Sequence, residues 1–472
     1  MKFSNKKYVM NNYRVKKFND KFLITTDHGS WVFLNNDQFN LLTRNEIDKD
    51  VKFFELLEEK GIILTSKNEK RVIISLRKKY DFLFIGTSLH IIVPTLRCNQ
   101  KCTYCHAGSK SLDEYVDMDE KTANAVVGFI FQSPSKKIAI EFQGGEPLLR
   151  FDIVKQIIEY AKKINNKFNK DLIFIVVTNL SLMDEDKLDY FIKNNVNLCT
   201  SLDGPEYLHN KNRITIDNQS HELVEKWIKK MQEENHKRKI NKKINVLLTI
   251  TKESLNYSKE IINEYARLGL NEIFLRPLNK LGKAKSVWDR LGYTPEEFIE
   301  FWKKSIDYLL ELNKKGVIIR EYSSLFILQK LIDGIEPNYF EQRSPCGAAI
   351  GQLAYNFNGD IYTCDEARMI DEDLFRLGNV HTDNYKNVIL SNQTCSMVAA
   401  SINDTQICDN CAFKPYCGIC PVCNYAEHGS IITNISSSAR CKIYMAQFKY
   451  LFDKIENDSE AYNIFCKWLN QK

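Results

Sequence analysis

Nothing in the 472-residue sequence approaches eighteen uninterrupted apolar residues, so no membrane-spanning helix is expected. The first fourteen residues, M-K-F-S-N-K-K-Y-V-M-N-N-Y-R, carry charge but neither an apolar core nor a small-residue cleavage site, which argues against a secretory signal. Charge of one sign is not in excess. The 66 Lys and Arg against 60 Asp and Glu leave +6, a balance too mild to suggest nucleic-acid binding. Internal repeats and low-complexity tracts are missing as well. What is present is a globular composition, 44% hydrophobic and 11% aromatic, at a length that suggests about three domains. The expected location is the cytoplasm, where thiols stay reduced and the fourteen cysteines need an account other than disulfides.

The chain opens with D-K-F-L-I-T-T-D-H-G-S-W-V-F-L at 20–34, which reads as a hairpin around a polar turn. N-N-D-Q-F-N-L-L starts a helix, a second runs from about Val51 to Lys60 and stops at Gly61, and Ile62–Leu64 reads as a third strand. The basic stretch 67–80 separates this unit from the rest. From Leu89 to about Arg276, six apolar strands alternate with amphipathic helices: H-I-I-V-P-T, K-I-A-I-E-F, L-I-F-I-V-V, V-N-L-C-T-S-L, I-N-V-L-L-T-I and E-I-F-L-R. Six βα units predict a parallel sheet, open or closed as a partial barrel, with ligand groups on the loops after the strand ends. Residues 295–333 read as helical, with Pro295 following Thr294 at the start. Short loops and cysteines follow Pro337, and one long helix is expected over 442–469. The basic run 226–243 reads as a solvated helix face.

The cysteines are clustered. Cys199, Cys395 and Cys466 stand alone and read as small buried apolar residues. Cys98, Cys102 and Cys105 lie in C-N-Q-K-C-T-Y-C, directly after the first strand of the βα series. Three thiolates on one loop can hold three irons of a [4Fe–4S] cubane and leave the fourth open to chelate a small molecule. A zinc knuckle completed by His106 is the alternative. Q-G-G-E-P at 143–147 follows the second strand, T-N-L at 178–180 the third, and S-L-D-G-P at 201–205 the fourth, with Arg213 twelve residues after Ser201.

Together these motifs resemble the radical S-adenosylmethionine (SAM) superfamily. The resemblance implies a partial (β/α)6 barrel. It also implies a SAM site built from Gly144, Gly145, Glu146, Asn179, Ser201, Asp203 and Arg213. Glycines would let the backbone approach the substrate, Glu146 would accept from the methionine ammonium, and Arg213 would pair with its carboxylate.

Eight further cysteines, Cys346, Cys364, Cys408, Cys411, Cys417, Cys420, Cys423 and Cys441, stand in the loop-rich tail. Their spacing is similar to that of a SPASM domain, an auxiliary iron–sulfur module. It departs in one place: the family's three-residue gap after Cys417 would land on Pro421, and cysteines stand instead at 420 and 423. Eight thiolates suffice for two auxiliary [4Fe–4S] clusters, one on Cys408, Cys411, Cys417 and Cys441, the other on Cys346, Cys364, Cys420 and Cys423, unless one of the last two is a free thiol. By the same resemblance Asp365, next to Cys364, is the base that deprotonates the substrate.

The N-terminal unit resembles the winged-helix-like peptide-recognition element of ribosomal-peptide maturases, which add a leader segment as a strand. The implied organisation is a recognition unit at 1–80, the barrel at 81–335, the SPASM domain at 336–445 and a C-terminal helix at 446–472. At full length, F-L-F-I-G-T-S-L-H-I-I-V-P-T-L-R-C-N, I-E-F-Q-G-G-E-P-L-L, S-L-D-G-P-E-Y-L-H-N-K-N-R, E-I-F-L-R-P-L, R-L-G-N-V and K-P-Y-C-G resemble the radical SAM maturase of the His-Xaa-Ser system. That implies reductive cleavage of SAM, hydrogen abstraction by a 5′-deoxyadenosyl radical, and an oxidised or cross-linked peptide side chain. The implied partners are a precursor peptide, a second radical SAM protein and a reductase, flavodoxin or ferredoxin as electron donor, with no nucleic acid and no membrane. Two rival readings are an anaerobic maturase acting on a Ser or Cys of an enzyme, and a zinc-stabilised binding protein without activity.

Overall fold

A computed structural model describes residues 7–370 and 372–470. Residues 1–6 of the segment read for a targeting signal lie outside the described residues. In the N-terminal unit, β1 (Val9–Met10) precedes a three-stranded antiparallel sheet of β2 (Tyr13–Phe18), β3 (Lys21–Thr26) and β4 (Trp31–Leu34). The hairpin read from the sequence is β3–β4. Strand β2 was missed because Y-R-V-K-K-F carries three charges that mask its alternation; one of them, Arg14, is buried while Val15 is exposed. Helix Asn36–Thr43 begins at Asn35, whose side chain accepts from Gln38 N while the Gln38 side chain accepts from Asn35 N. Helix Val51–Glu59 ends before Gly61 at φ +64°, and β5 (Ile63–Leu64) pairs with β1 rather than with the hairpin. The basic stretch expected to be a separator is mostly a helix, Glu69–Tyr80, with Val72 buried.

The barrel strands follow: β6 (Leu89–Thr95), β7 (Lys101–Cys102, on the cysteine loop), β8 (Lys137–Gly144), β9 (Asp171–Val177), β10 (Val196–Ser201), β11 (Arg213–Ile214), β12 (Ile244–Ile250), β13 (Glu272–Ile273) and β14 (Leu275–Pro277). Strands β6, β8, β9, β10, β12 and β14 lie side by side in chain order and parallel, the predicted partial barrel. E-I-F-L-R breaks at Phe274, so that β13 pairs instead with β15 (Arg320–Glu321). On β8 the side chains alternate. Ile138, Ile140 and Phe142 are buried against the helices, and Ala139, Glu141 and Gln143 face the barrel interior.

The sheet continues past the barrel. β16 (Gln352–Tyr355) pairs parallel with β6, and β17 (Asp360–Tyr362) and β18 (Arg376–Asn379) extend it antiparallel to nine strands. Helix Pro295–Lys314 starts at Thr294, as read, but the helical segment breaks before β15 and resumes at Tyr322–Leu328. The expected final helix is two, Ala439–Asn457 and Ser459–Asn470, because Asp458 leaves helical geometry and accepts from Ala461 N at 3.0 Å. The basic run lies on helix Ser220–Arg238, with Trp227, Ile228 and Met231 buried, so its lysines form the solvated face that was read.

Candidate active site

The cysteine loop leaves the C-terminal end of β6 and is held on all sides. Thr95 Oγ1 and Arg97 Nε donate to Asp117 Oδ1 at 2.6 and 2.8 Å, and Cys98 N donates to Lys110 O at 3.1 Å. β7 pairs with β11, which puts Cys102 opposite Arg213. From the far side, Lys283 N donates to Cys105 O at 2.9 Å. Burial pushes the Cys98 thiol up to about 12 and that of Cys102 to about 11; Cys98 feels Cys102 and Cys105, and Cys102 feels Cys105 and, in the opposite sense, Arg213. Such thiols become thiolates at neutral pH when a bound cation replaces the proton. His106, the fourth ligand of the zinc alternative, contacts Asn279 O through Nε2 at 3.1 Å and lines the barrel cavity. Three neighbouring thiols, with His106 engaged by Asn279, suit a cubane with one open iron better than a closed tetrahedral site.

The two glycines of Q-G-G-E-P serve the cysteine loop directly. Gly145 N donates to Thr95 O at 2.9 Å and Glu146 N to Arg97 O at 2.8 Å. A Cβ on Gly145 would overlap Arg97 O; Gly144, at φ +122°, abuts Thr95 O. These close approaches are to the loop backbone, a role the expectation of substrate contact did not include. Glu146 is buried; its Oε1 accepts from Thr178 Oγ1 at 2.7 Å and Leu148 N at 3.0 Å, and Oε2 from Asn179 N at 2.8 Å. Burial pushes its carboxyl up to about 6 against these bonds. It ties β8 to the end of β9, with room for one more donor at Oε2. Asn179 donates to Asn99 Oδ1 at 3.0 Å and lies 3.9 Å from Cys98 Sγ.

Asp203 is fully buried after β10. It accepts from Tyr104 Oη at 2.5 Å, Arg213 Nε at 3.2 Å and Thr249 N at 3.3 Å. Arg213 lies over the Tyr104 ring and 3.9 Å from Cys102 Sγ. Asp203 therefore aims Arg213, with Ser201 at the end of the same strand. His209 Nδ1 accepts from Asp203 N at 3.2 Å, its Nε2 contacts Ser220 Oγ at 3.0 Å, and Gln100 Nε2 donates to the same hydroxyl at 2.9 Å. Tyr104, His209 and Gln100 escaped the sequence reading, because isolated polar residues carry no spacing signal.

Inside the barrel lies a cavity of about 480 Å3, lined by Ile91, Glu141, Gln143, Val177, Cys199 and Arg276, and bounded by His106 of the cysteine loop and by Asp365 and Glu366. Asp365 Oδ1 accepts from Arg368 at 2.9 and 3.1 Å, and Arg368 Nη1 reaches Ala107 O at 3.4 Å. The predicted base thus borders the cavity as half of an ion pair. Of the three lone cysteines, Cys199 is buried as read, whereas Cys395 is exposed and Cys466 partly so. Both lie on surface helices, where the burial preference of cysteine has nothing to act against.

The C-terminal cysteines fall into two places. Cys408, Cys411, Cys417 and Cys441 line one small cleft, which Cys420 also borders, and Cys417 feels the other three of that four. Cys346, Cys364, Cys420 and Cys423 share one buried cluster with Ile91 of β6. Cys346 and Cys364 both feel Cys420. Cys420 Sγ accepts from Cys423 N at 3.5 Å, while Cys423 itself borders a second cavity of about 360 Å3 beside Arg440.

Residues 92–264 match the radical SAM superfamily. They are a radical SAM domain. The chain is 25% identical over 377 residues to a cysteine-type anaerobic sulfatase-maturating enzyme of Clostridium perfringens, covering 76% of this chain and 95% of that one. It is 21% identical over 480 residues to the radical SAM cyclopropyl synthase TigE of Paramaledivibacter caminithermalis, covering 94% and 89%. The native structure of anSMEcpe with bound AdoMet superposes at a TM-score of 0.65, with 21% identity over 79% of this chain and 100% of that one. Streptococcus suis SuiB bound to precursor peptide SuiA superposes at 0.54, with 14% identity over 90% and 98%. The chain thus carries a radical SAM domain, an enzyme module of radical chemistry, and is similar to peptide- and protein-modifying maturases; the reading as an inert zinc protein is set aside. The C-terminal cysteines fit auxiliary iron–sulfur clusters. No helix of the described residues is long and apolar enough to cross a membrane.

Proposed function

We propose that this enzyme oxidises or cross-links side chains of a ribosomally made peptide carrying His-Xaa-Ser repeats. The observation that carries a peptide-modifying role is the barrel cavity, bordered at once by the cysteine loop and by the segment next to Cys364. Its volume of about 480 Å3 suits an inserted side chain better than a folded partner. When bound, the cluster and SAM supply a 5′-deoxyadenosyl radical able to take a hydrogen atom from an unactivated carbon.

The protein does the rest. Cys98, Cys102 and Cys105 would hold the cluster. Arg213, aimed by Asp203, pairs with the methionine carboxylate, and Gly144, Gly145, Glu146, Asn179 and Ser201 complete the SAM site. Apolar walls from β6 and β9 keep water from a reactive carbon. Asp365 takes the proton released on oxidation, with Arg368 holding it in place. Cys346, Cys364, Cys420 and Cys423, and Cys408, Cys411, Cys417 and Cys441, would hold two auxiliary clusters, which would supply an acceptor for the remaining electron. The unit at 1–80 offers the edges of its three-stranded sheet to a leader segment. A second radical SAM protein and a flavodoxin, ferredoxin or reductase complete the system.

A second reading is an enzyme that oxidises one Ser or Cys of an enzyme substrate. The 95% coverage of the sulfatase-maturating relative favours it, whereas the 94% of this chain matched by TigE takes in length the sulfatase-maturating match leaves out. The test is anaerobic incubation with SAM, dithionite and either a His-Xaa-Ser peptide or a Cys-containing sulfatase peptide, followed by mass spectrometry. Loss of two hydrogens from the first alone is the expected result; modification of the second alone replaces this reading with the other.

A further inference from the structure

Parallel strands buried on both faces are normally continuous in apolar residues, and β8 departs from this at Glu141. Its cross-strand neighbours are Ile91 on β6 and Ile175 on β9, both apolar and both lining the same cavity. The other carboxylates bordering that cavity each have a guanidinium. Asp365 pairs with Arg368, Glu366 with Arg276 at 3.0 Å, Glu341 with Arg276 at 3.3 Å and Arg440 at 3.1 Å, and Glu272 with Arg320. Lys243 lies at the exposed rim. Among the described residues, Glu141 has the Gln143 amide as its side-chain partner and no cation.

We propose that Glu141 is an anionic subsite of the barrel cavity that binds a protonated nitrogen of a substrate side chain, an imidazolium or an ammonium. This rests on the peptide-substrate reading above and adds to it the chemical class of the residue that enters. An acidic side chain would meet a carboxylate, and an apolar one would leave that carboxylate buried without a partner, which costs binding. A cation satisfies it. Burial pushes Glu141 up to about 7, and Asp365 and Glu366 add to the rise while Arg276 opposes it. Cys199, Tyr322, Tyr339 and His106 complete the titratable groups facing the cavity, and burial pushes the imidazole of His106 down from its ordinary value. An arriving cation therefore tips Glu141 toward its ionised form.

The experiment uses iron-loaded protein with SAM and no reductant. The probes are three pentapeptides, N-acetyl-Gly-Xaa-Ala-Ser-Gly-amide with lysine, histidine or glutamine at Xaa, titrated calorimetrically at pH 7. The lysine and histidine peptides are expected to bind on the order of tenfold more tightly than the glutamine peptide, and Glu141→Gln to abolish that preference. Affinity for the lysine peptide is expected to rise from pH 6 to pH 8 in the wild type and stay flat in Glu141→Gln. Glu141→Asp, which keeps the charge on a shorter stem, is expected to retain a weakened preference, and it stands in should Glu141→Gln fail to load iron. Equal affinities, no measurable binding of any peptide, or a preference that survives in Glu141→Gln would each overturn the proposal. Adding dithionite then separates the two ideas: a histidine peptide that binds selectively yet is never modified sinks the His-Xaa-Ser reading and leaves the subsite standing.

Discussion

At the scale of single residues, the active end of the barrel depends on close backbone approach. Gly145 touches the cysteine-loop carbonyl of Arg97, so Gly145→Ala must displace the loop itself. Its expected outcome is loss of the SAM-binding cluster, about four irons per chain, with the remaining iron retained, read by iron analysis and EPR. Asp203→Asn is expected to leave the Arg213 guanidinium buried without its counter-charge. The cost is on the order of 3 kcal/mol of stability, together with weakened SAM binding by equilibrium dialysis. Glu141 titrates near 7 in the fold against about 4.5 ordinarily, so its protonated form is favoured by folding. That contribution is complete below the ordinary value and is lost as pH rises through about 7. Relative to Glu141→Gln, the wild type should lose roughly 3 kcal/mol between pH 4.5 and 8, seen as a widening gap in Tm. Q-G-G-E-P and S-L-D-G-P stood out as candidate site segments because several residues in order carry a signal. Tyr104 and His209 did not, because what brings them to the candidate site is their meeting with Asp203, 99 and 6 residues distant in the chain.

At the scale of elements, the strands and helices with clean periodicity were read correctly, and the errors lie where one residue interrupts a pattern or charge obscures it, as in β2 and the helix Glu69–Tyr80. Asp458 splits a helix that its apolar periodicity joins, and Phe274 splits a strand. Strand β2 was hidden by its charges, yet it anchors the N-terminal sheet. Phe18 meets Phe413 and Phe452 edge-on, and Thr25 Oγ1 of β3 donates to Ala412 O at 2.8 Å. Arg14 links Asp27 to the Asp409 carbonyl. Phe413 is buried where this sheet, the cysteine-rich segment and the C-terminal helix converge. Phe413→Ala is expected to cost about 3–5 kcal/mol and to open the junction between sheet and tail, so that limited proteolysis cuts there before the barrel.

At the scale of the whole molecule, three groups of cysteines predict about twelve irons per chain as purified anaerobically, falling to about eight in the Cys98→Ala/Cys102→Ala/Cys105→Ala variant. A drop to fewer would mean that the auxiliary sites depend on the first. That dependence is physically reasonable, since β16 pairs directly with β6, the strand that carries the cysteine loop. The sequence by itself determined the parallel barrel and its order, because hydrophobic periodicity and strand-end motifs are local properties of the chain. It also marked, by spacing alone, eleven cysteines as candidate metal ligands. Only the tertiary structure decided that the cysteine-rich tail continues the barrel sheet, that the glycines serve the cysteine loop, and that Glu141 faces the cavity with no ion-pair partner among the described residues. Each of these depends on groups tens to hundreds of residues apart, brought together by packing, and no spacing within the chain encodes such a meeting.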